Sequence, residues 1–221
     1  MSTLIARSAP AGVRTLSVNK VLRNTYLLLS MTLLFSAVTA GVSMAFKLPH
    51  PGLLLTLGGY FGLLFLTMRN QDNAMGLLWV FALTGFMGYT LGPILNAYLG
   101  LPNGPQLVMT AMGGTAVLFL GLSGYALVSG RQFSFLGGAL FAGILVAFVA
   151  GLAALLFEMP GLSLAVSALF VLLMAGLILY ETSNIVHGGE TNYIAATVSL
   201  YVAIYNLFTS LLHLLGMGSD E

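Results

Sequence analysis

An all-α integral membrane protein, a bundle of seven transmembrane helices with the last helix central, is the fold class this sequence predicts. Three observations predict it. Hydrophobic residues make up 58% of the chain and charged residues only 6%. Mean hydropathy is +1.00, whereas a soluble domain carries about 25% charged residues. The apolar residues fall into seven long segments, and the breaks between them are short and rich in turn chemistry.

The segments cover residues 25–46, 52–68, 75–97, 105–128, 134–157, 162–186 and 193–215. Each approaches the roughly 20 residues that a helix needs to cross a bilayer. Lipid cannot satisfy an open backbone, so each should be a helix. The breaks read KLPHPG, MRNQDN, LPNGP, SGRQ, MPG and HGGETN. Gly, Pro, Asn and Asp at these points end helices and turn the chain. Connections this short make neighbouring helices antiparallel. The expected organisation is an N-terminal tail over 1–24, a helical domain over 25–216 and a short C-terminal tail over 217–221.

Arg7, Arg14, Lys20 and Arg23 lie before the first segment with no acid among them. Placing that end in the cytoplasm also places Arg69 and Arg131 there, leaving Lys47 as the one basic residue outside. By the positive-inside tendency the N-terminus is expected inside and the C-terminus outside. The first segment follows a long lead and is long enough to span, so it reads as an uncleaved anchor rather than a signal peptide.

Composition excludes several classes of function. A net charge of +1 without a basic cluster beyond the N-terminus gives no footprint for nucleic acid. With no cysteine there is no disulfide, thiolate metal site or cysteine nucleophile. A retinal protein needs a lysine late in the chain, and the only lysines are Lys20 and Lys47. An intramembrane aspartyl protease needs two aspartates in spans, and the only aspartates are Asp72 and Asp220. No HExxH motif is present. His213 stands near the end of the last segment without a nucleophile elbow before it. The chain is read as a non-enzyme, with no cofactor and no metal.

The polar residues that remain are concentrated late in the chain. Ser199, Ala203, Asn206, Ser210 and His213 recur at steps of four and three, which puts them on one helical face. Tyr201, Tyr205 and Thr209 share an adjacent face. Small and polar residues favour helix–helix contact over lipid, with amides finding partners across helices. The stripe therefore predicts a central seventh helix and a polar line through the bundle, with Asn206 at mid-depth. Packing alone would also account for the stripe.

Glu181 lies in the sixth segment with Asn184 on the same face. Ionisable groups in spans are costly and mark functional sites. If buried, Glu181 becomes a proton- or cation-responsive candidate, because desolvation disfavours the charged form. Alternatively it reaches the headgroup zone. Arg69 reads either as a membrane anchor near Asp72 or as an ion partner for Glu181. Gly85, Gly88 and Gly92 beside Pro93, the Gly58–Gly62 stretch and Gly113–Gly114 invite close packing. Pro93 removes a helix hydrogen bond and should kink the third helix. His187 and Glu190 flank Gly188–Gly189, which reads as a glycine helix stop more readily than as a metal site.

Several stretches together carry a family resemblance: NKVLRNTYLLLS at 19–30, TGFMGYTLGPILNAY at 84–98, AMGGTAVLF at 111–119, FSFLGG at 133–138, ETSNIVHGGETNYI at 181–194 and ATVSLYVAIYNLF at 196–208. The chain resembles the Bax inhibitor-1 (transmembrane Bax-inhibitor-motif) family, and its bacterial YccA branch in particular, from about Asn19 to Gly216.

The branch resemblance implies a bacterial inner-membrane protein that binds the AAA protease FtsH and restrains it, together with HflK/HflC. The wider family implies a pH-sensitive calcium leak, in which two acids on the last two helices share a proton and an Arg ending the second helix controls the path. Glu181 matches the first acid and Arg69 the Arg. Ala203 stands where the second acid would be, which weakens the calcium or proton leak as an alternative to the regulatory reading.

Overall fold

The computed structural model describes the backbone of residues 11–217 and the side chains of residues 18–217. The outer part of the expected N-terminal tail and all but the first residue of the C-terminal one lie outside the described residues. Seven helices follow one another: α1 (Ala11–Ala45), α2 (Leu53–Arg69), α3 (Ala74–Leu99), α4 (Gly104–Ser129), α5 (Leu136–Leu156), α6 (Pro160–Val186) and α7 (Tyr193–Met217). Pro160 opens α6 and Pro105 stands in the first turn of α4. Proline suits both places because the first turn has N–H groups with no helical partner to lose.

Two elements differ from expectation. Helix α1 begins at Ala11 rather than at residue 25, so the inner part of the segment expected as a flexible tail is helical. No proline interrupts residues 11–24, and extending a helix already nucleated downstream is cheaper than starting one. The second difference concerns α2. Among the described residues six helices are long and apolar enough to cross a membrane, whereas α2 has only 17 residues. At 1.5 Å per residue it is about 25 Å long, short of a hydrocarbon core of about 30 Å.

Helix α7 packs against α1, α3, α4 and α6, and α1 lies along α3. Every α7 residue from Tyr193 to Gly216 is buried or half-buried. The polar links of α7 to other helices include those of the tyrosine face and of His213 in the stripe. Ser36 of α1 and the Tyr201 hydroxyl lie 2.6 Å apart, and Tyr201 donates to the Thr84 carbonyl of α3 at 3.3 Å. Tyr205 meets Thr90 of α3 at 3.2 Å. His213 is held on both ring nitrogens, by Tyr98 of α3 at 3.2 Å and Ser163 of α6 at 3.0 Å.

The α1–α3 contact shows how Pro93 is accommodated. Proline has no N–H, so the carbonyl four residues earlier, at Tyr89, loses its helical donor. Ser43 of α1 donates its hydroxyl to that carbonyl at 2.9 Å. The approach depends on glycine, since a Cβ on Gly92 would collide with Ser43, and one on Gly88 with Thr39 and the Ser36 carbonyl. Close packing is narrower than the sequence suggests elsewhere. Gly59 meets Phe86, but an added Cβ at Gly58, Gly62 or Gly113 would meet nothing within 4 Å.

Ser43→Ala should destabilise the bundle by about 1 kcal/mol, because it strands a buried carbonyl. Pro93→Ala restores a backbone donor for Tyr89, so the serine substitution should cost much less in that background. Reversible unfolding of the single and double variants measures the difference. Equal costs in both backgrounds would separate Ser43 from the proline.

Candidate functional site

The polar end of the molecule is built where α6 stops. The Gly188 N–H reaches the Ile185 carbonyl at 3.1 Å and the Gly189 N–H reaches the Asn184 carbonyl at 2.8 Å. Gly188 has φ of 74°. This is a paired-hydrogen-bond helix stop, and its left-handed residue favours glycine. The stop turns the chain back, and the Glu190 N–H also reaches the Asn184 carbonyl, at 3.2 Å. Asn184 thus terminates the helix through its main chain.

Glu181 is 5% exposed. It shares its helical face with Ile178 and Ile185, three residues before and four after. Ile178 packs in a core with Met174, Ala203 and Leu207. Ile185 packs in a second core with Leu200 and Tyr201. Glu181 therefore sits on the α6 face that meets α7, between two apolar clusters. Among the described residues no hydrogen bond or ion pair reaches its carboxylate. Its neighbour Thr182 lies 3.3 Å from both Tyr26 of α1 and Ser123 of α4.

The acid electrostatically closest to this group lies outside the transmembrane stripe. Glu190, on the returning loop, acts on Glu181 as a like charge. Ala203, where the family resemblance puts a second acid, is fully buried. Glu190 itself accepts the Asn192 N–H, and Asn192 donates its side-chain amide to Asp72 at 2.8 Å and to the Gln71 carbonyl at 3.2 Å. Asn192 also caps α7, accepting the Ile194 N–H at 2.9 Å. One asparagine thus ties the α2–α3 turn to the start of α7, a role that the sequence reading missed. Its position just ahead of an apolar run is the N-cap signal that could have found it.

Arg69 is exposed, and no ion pair joins it to Glu181 or Asp72 among the described residues. The expected ion partnership across the mouth is therefore not made; Arg69 ends α2 in the open, as a basic anchor does. Asn206 also departs from expectation. Its amide donates to the Val202 carbonyl of its own helix at 2.9 Å, not to another helix. Ser199 is half-buried and Ser210 buried, while Ala203 is apolar core. Within the stripe His213 bridges to other helices, and the remaining side-chain bridges from α7 come from Tyr201, Tyr205 and Thr197, which donates to the Thr25 carbonyl of α1 at 3.2 Å.

The α4–α5 turn is latched to the same end of α6. Ser183 accepts the Phe133 N–H and donates to the Arg131 carbonyl, each at 3.1 Å. His187 points one ring nitrogen at the Ser183 carbonyl (2.8 Å) and the other at the Gly130 carbonyl (3.2 Å). A neutral imidazole can donate to only one of them; the protonated ring can donate to both. No group of three or more His, Asp or Glu side chains is placed to hold a metal ion among the described residues.

Comparison with known proteins fits this arrangement. A family model described as "Inhibitor of apoptosis-promoting Bax1" matches residues 18–220. The chain is 55% identical over 217 residues to the modulator of FtsH protease YccA of Escherichia coli (strain K12), covering 98% of this chain and 99% of that protein. It is 54% identical to an uncharacterized protein of Pseudomonas aeruginosa, over 92% of each chain. It is 48% identical to an uncharacterized membrane protein of Vibrio cholerae, over 94% of each. A family-model match across nearly the whole chain and identities of about one half over more than nine-tenths of it lead to one conclusion: this chain belongs to the Bax inhibitor-1 family.

Proposed function

We propose that this chain is a multi-pass regulatory protein of the bacterial inner membrane that binds the protease FtsH and restrains it, in company with HflK/HflC. The observation that carries the reading is 55% identity, over 98% of the chain, to a protein named as a modulator of FtsH. A second relative with the same identity is named an inner membrane protein. The fold supports a mechanism. An AAA protease pulls a substrate from one end. Here the pull would have to separate α7 from four neighbouring helices and break polar links at Tyr201, Tyr205 and His213. A bundle that resists extraction occupies the enzyme.

In this reading α7 is the central helix, α2 completes seven crossings, the N-terminus is cytoplasmic and the C-terminus periplasmic. Arg69 and Arg131 then lie on the cytoplasmic side and Lys47 opposite, as basic residues tend to do. Affinity capture from native membranes is expected to recover FtsH with the chain. Removing residues 1–10 should lengthen the chain's half-life in cells containing FtsH and leave it unchanged in cells lacking the protease. An unchanged half-life in both would remove those residues from the engagement step. A reporter fused at Glu221 should report a periplasmic location.

One observation favours a second reading, a pH-sensitive calcium or proton leak. Glu181 is a nearly enclosed carboxylate facing α7, and Glu190 lies near enough to repel it. An enclosed carboxylate that faces another helix is a candidate proton- or cation-responsive group. Flux through the protein in liposomes should be weak, and Glu181→Gln should abolish its pH response. Ala203→Asp should strengthen that response. Strong flux from the unmodified protein, unaffected by Glu181→Gln, would dismiss the site.

A further inference from the structure

Below the Glu181 end, the bundle holds a cavity of about 370 Å³ between α2, α3, α5, α6 and α7. That is within the roughly 300–1,000 Å³ of small-molecule sites. Its lining contains no charged residue. It is not a filled interface, because α2 packs along α3 and has no comparable packing against α5 or α6. Across that gap α2 and α5 meet through Phe61 and Phe148, edge to face with centroids 5.8 Å apart. Phe61 is 47% exposed on the outer, apolar surface of the bundle. The two rings therefore stand at a side entrance reached from the lipid.

Inside, polar capacity is left over. Tyr60 lines the cavity, and among the described residues no hydrogen bond reaches its hydroxyl. Asn206 lines it as well. Its NH₂ group is fixed by donation to the Val202 carbonyl, so its Oδ1 is the atom left without a partner among the described residues. Tyr205 and Thr90 also line the wall but are occupied with each other. A donor and an acceptor thus stand unpaired in an otherwise apolar chamber. In such a setting an unmet polar group is costly, and a ligand that meets it gains orientation as well as affinity.

We propose that this cavity binds an uncharged single-chain amphiphile drawn sideways from the bilayer, its chain between α2 and α5 and its hydroxyl group between Tyr60 and Asn206. The hydroxyl fits because it accepts from the tyrosine and donates to the amide oxygen at once. A phosphate or carboxylate head does not fit, since no cation lines the wall to offset its desolvation. The inference rests on membrane insertion of the bundle and not on any link to a protease.

The test uses the full chain in nanodiscs with a diazirine-bearing monoacylglycerol, competed by monooleoylglycerol or by oleate at a pH where oleate is ionised. Saturable labelling is expected on residues that line the cavity, displaced by monooleoylglycerol and at least tenfold less well by oleate. Tyr60→Phe and Asn206→Leu should each lower labelling roughly three- to tenfold, the equivalent of one neutral hydrogen bond. Thermal unfolding of each variant identifies any that fail to fold. In that event the competition in the unmodified chain decides alone. Labelling that does not saturate, spreads evenly over lipid-facing helices or is displaced equally by both competitors would overturn the proposal. So would undiminished labelling in two folded variants.

Discussion

Hydrocarbon offers no hydrogen-bond donor, and this bundle depends on answering that lack from within. The requirement is sharpest at Tyr89, whose carbonyl is stranded by the proline one turn on. A serine from another helix satisfies it, and glycine brings that serine close enough. The same logic joins Ser36, Tyr201 and Thr84, then Thr90 and Tyr205, then Tyr98, His213 and Ser163. Apolar contact between helices gives little net drive when lipid is the alternative. These polar links, spaced along α7, therefore specify which helix lies against which. Among the described residues Thr25 has a fully enclosed hydroxyl that no partner meets.

Glu181 stands outside this pattern. It is enclosed by the same helices, yet nothing within the described residues bonds to it. Most enclosed hydroxyls are answered, whereas this carboxylate has only the charge of Glu190 acting on it. Such a group contributes little to stability, which is what makes it a candidate for the proton or cation response proposed above. The neighbour arrives through a glycine stop and a reversed loop, so the pair is formed by chain geometry rather than by two facing helices.

Much of the fold was legible because its signals are local. Apolar length and turn residues located α2 to α7 within about two residues, and the Gly188–Gly189 pair marked the end of α6. What could not be read was set by geometry between helices. The polar stripe of α7 does not stand out by burial, since the whole helix is buried or half-buried from Tyr193 to Gly216, and Asn206 bonds to its own helix while Tyr201, Tyr205 and His213 reach others. Arg69 and Glu181 are both present, but whether two side chains meet depends on helix rotation, which periodicity does not determine. Glu190 looked like a loop residue because its approach to Glu181 exists only after the chain reverses. The early start of α1 was missed because polar, basic residues ahead of the apolar run were read as a tail, whereas helix propagation needs no apolar face.

The brevity of α2 has a consequence for the surrounding lipid. In the proposed seven-crossing topology α2 would be about 5 Å shorter than the hydrocarbon around it. Such a mismatch is met by bilayer thinning, by flanking side chains that reach the interface or by association, at a fraction of a kcal/mol per ångström. Because α2 lies at the edge of the bundle and the other six helices are longer, the thinning would fall on one side. The protein would then sit in a lopsided annulus and would be drawn towards neighbours that also compress the membrane. Association of that kind selects partners by thickness before any surface is matched.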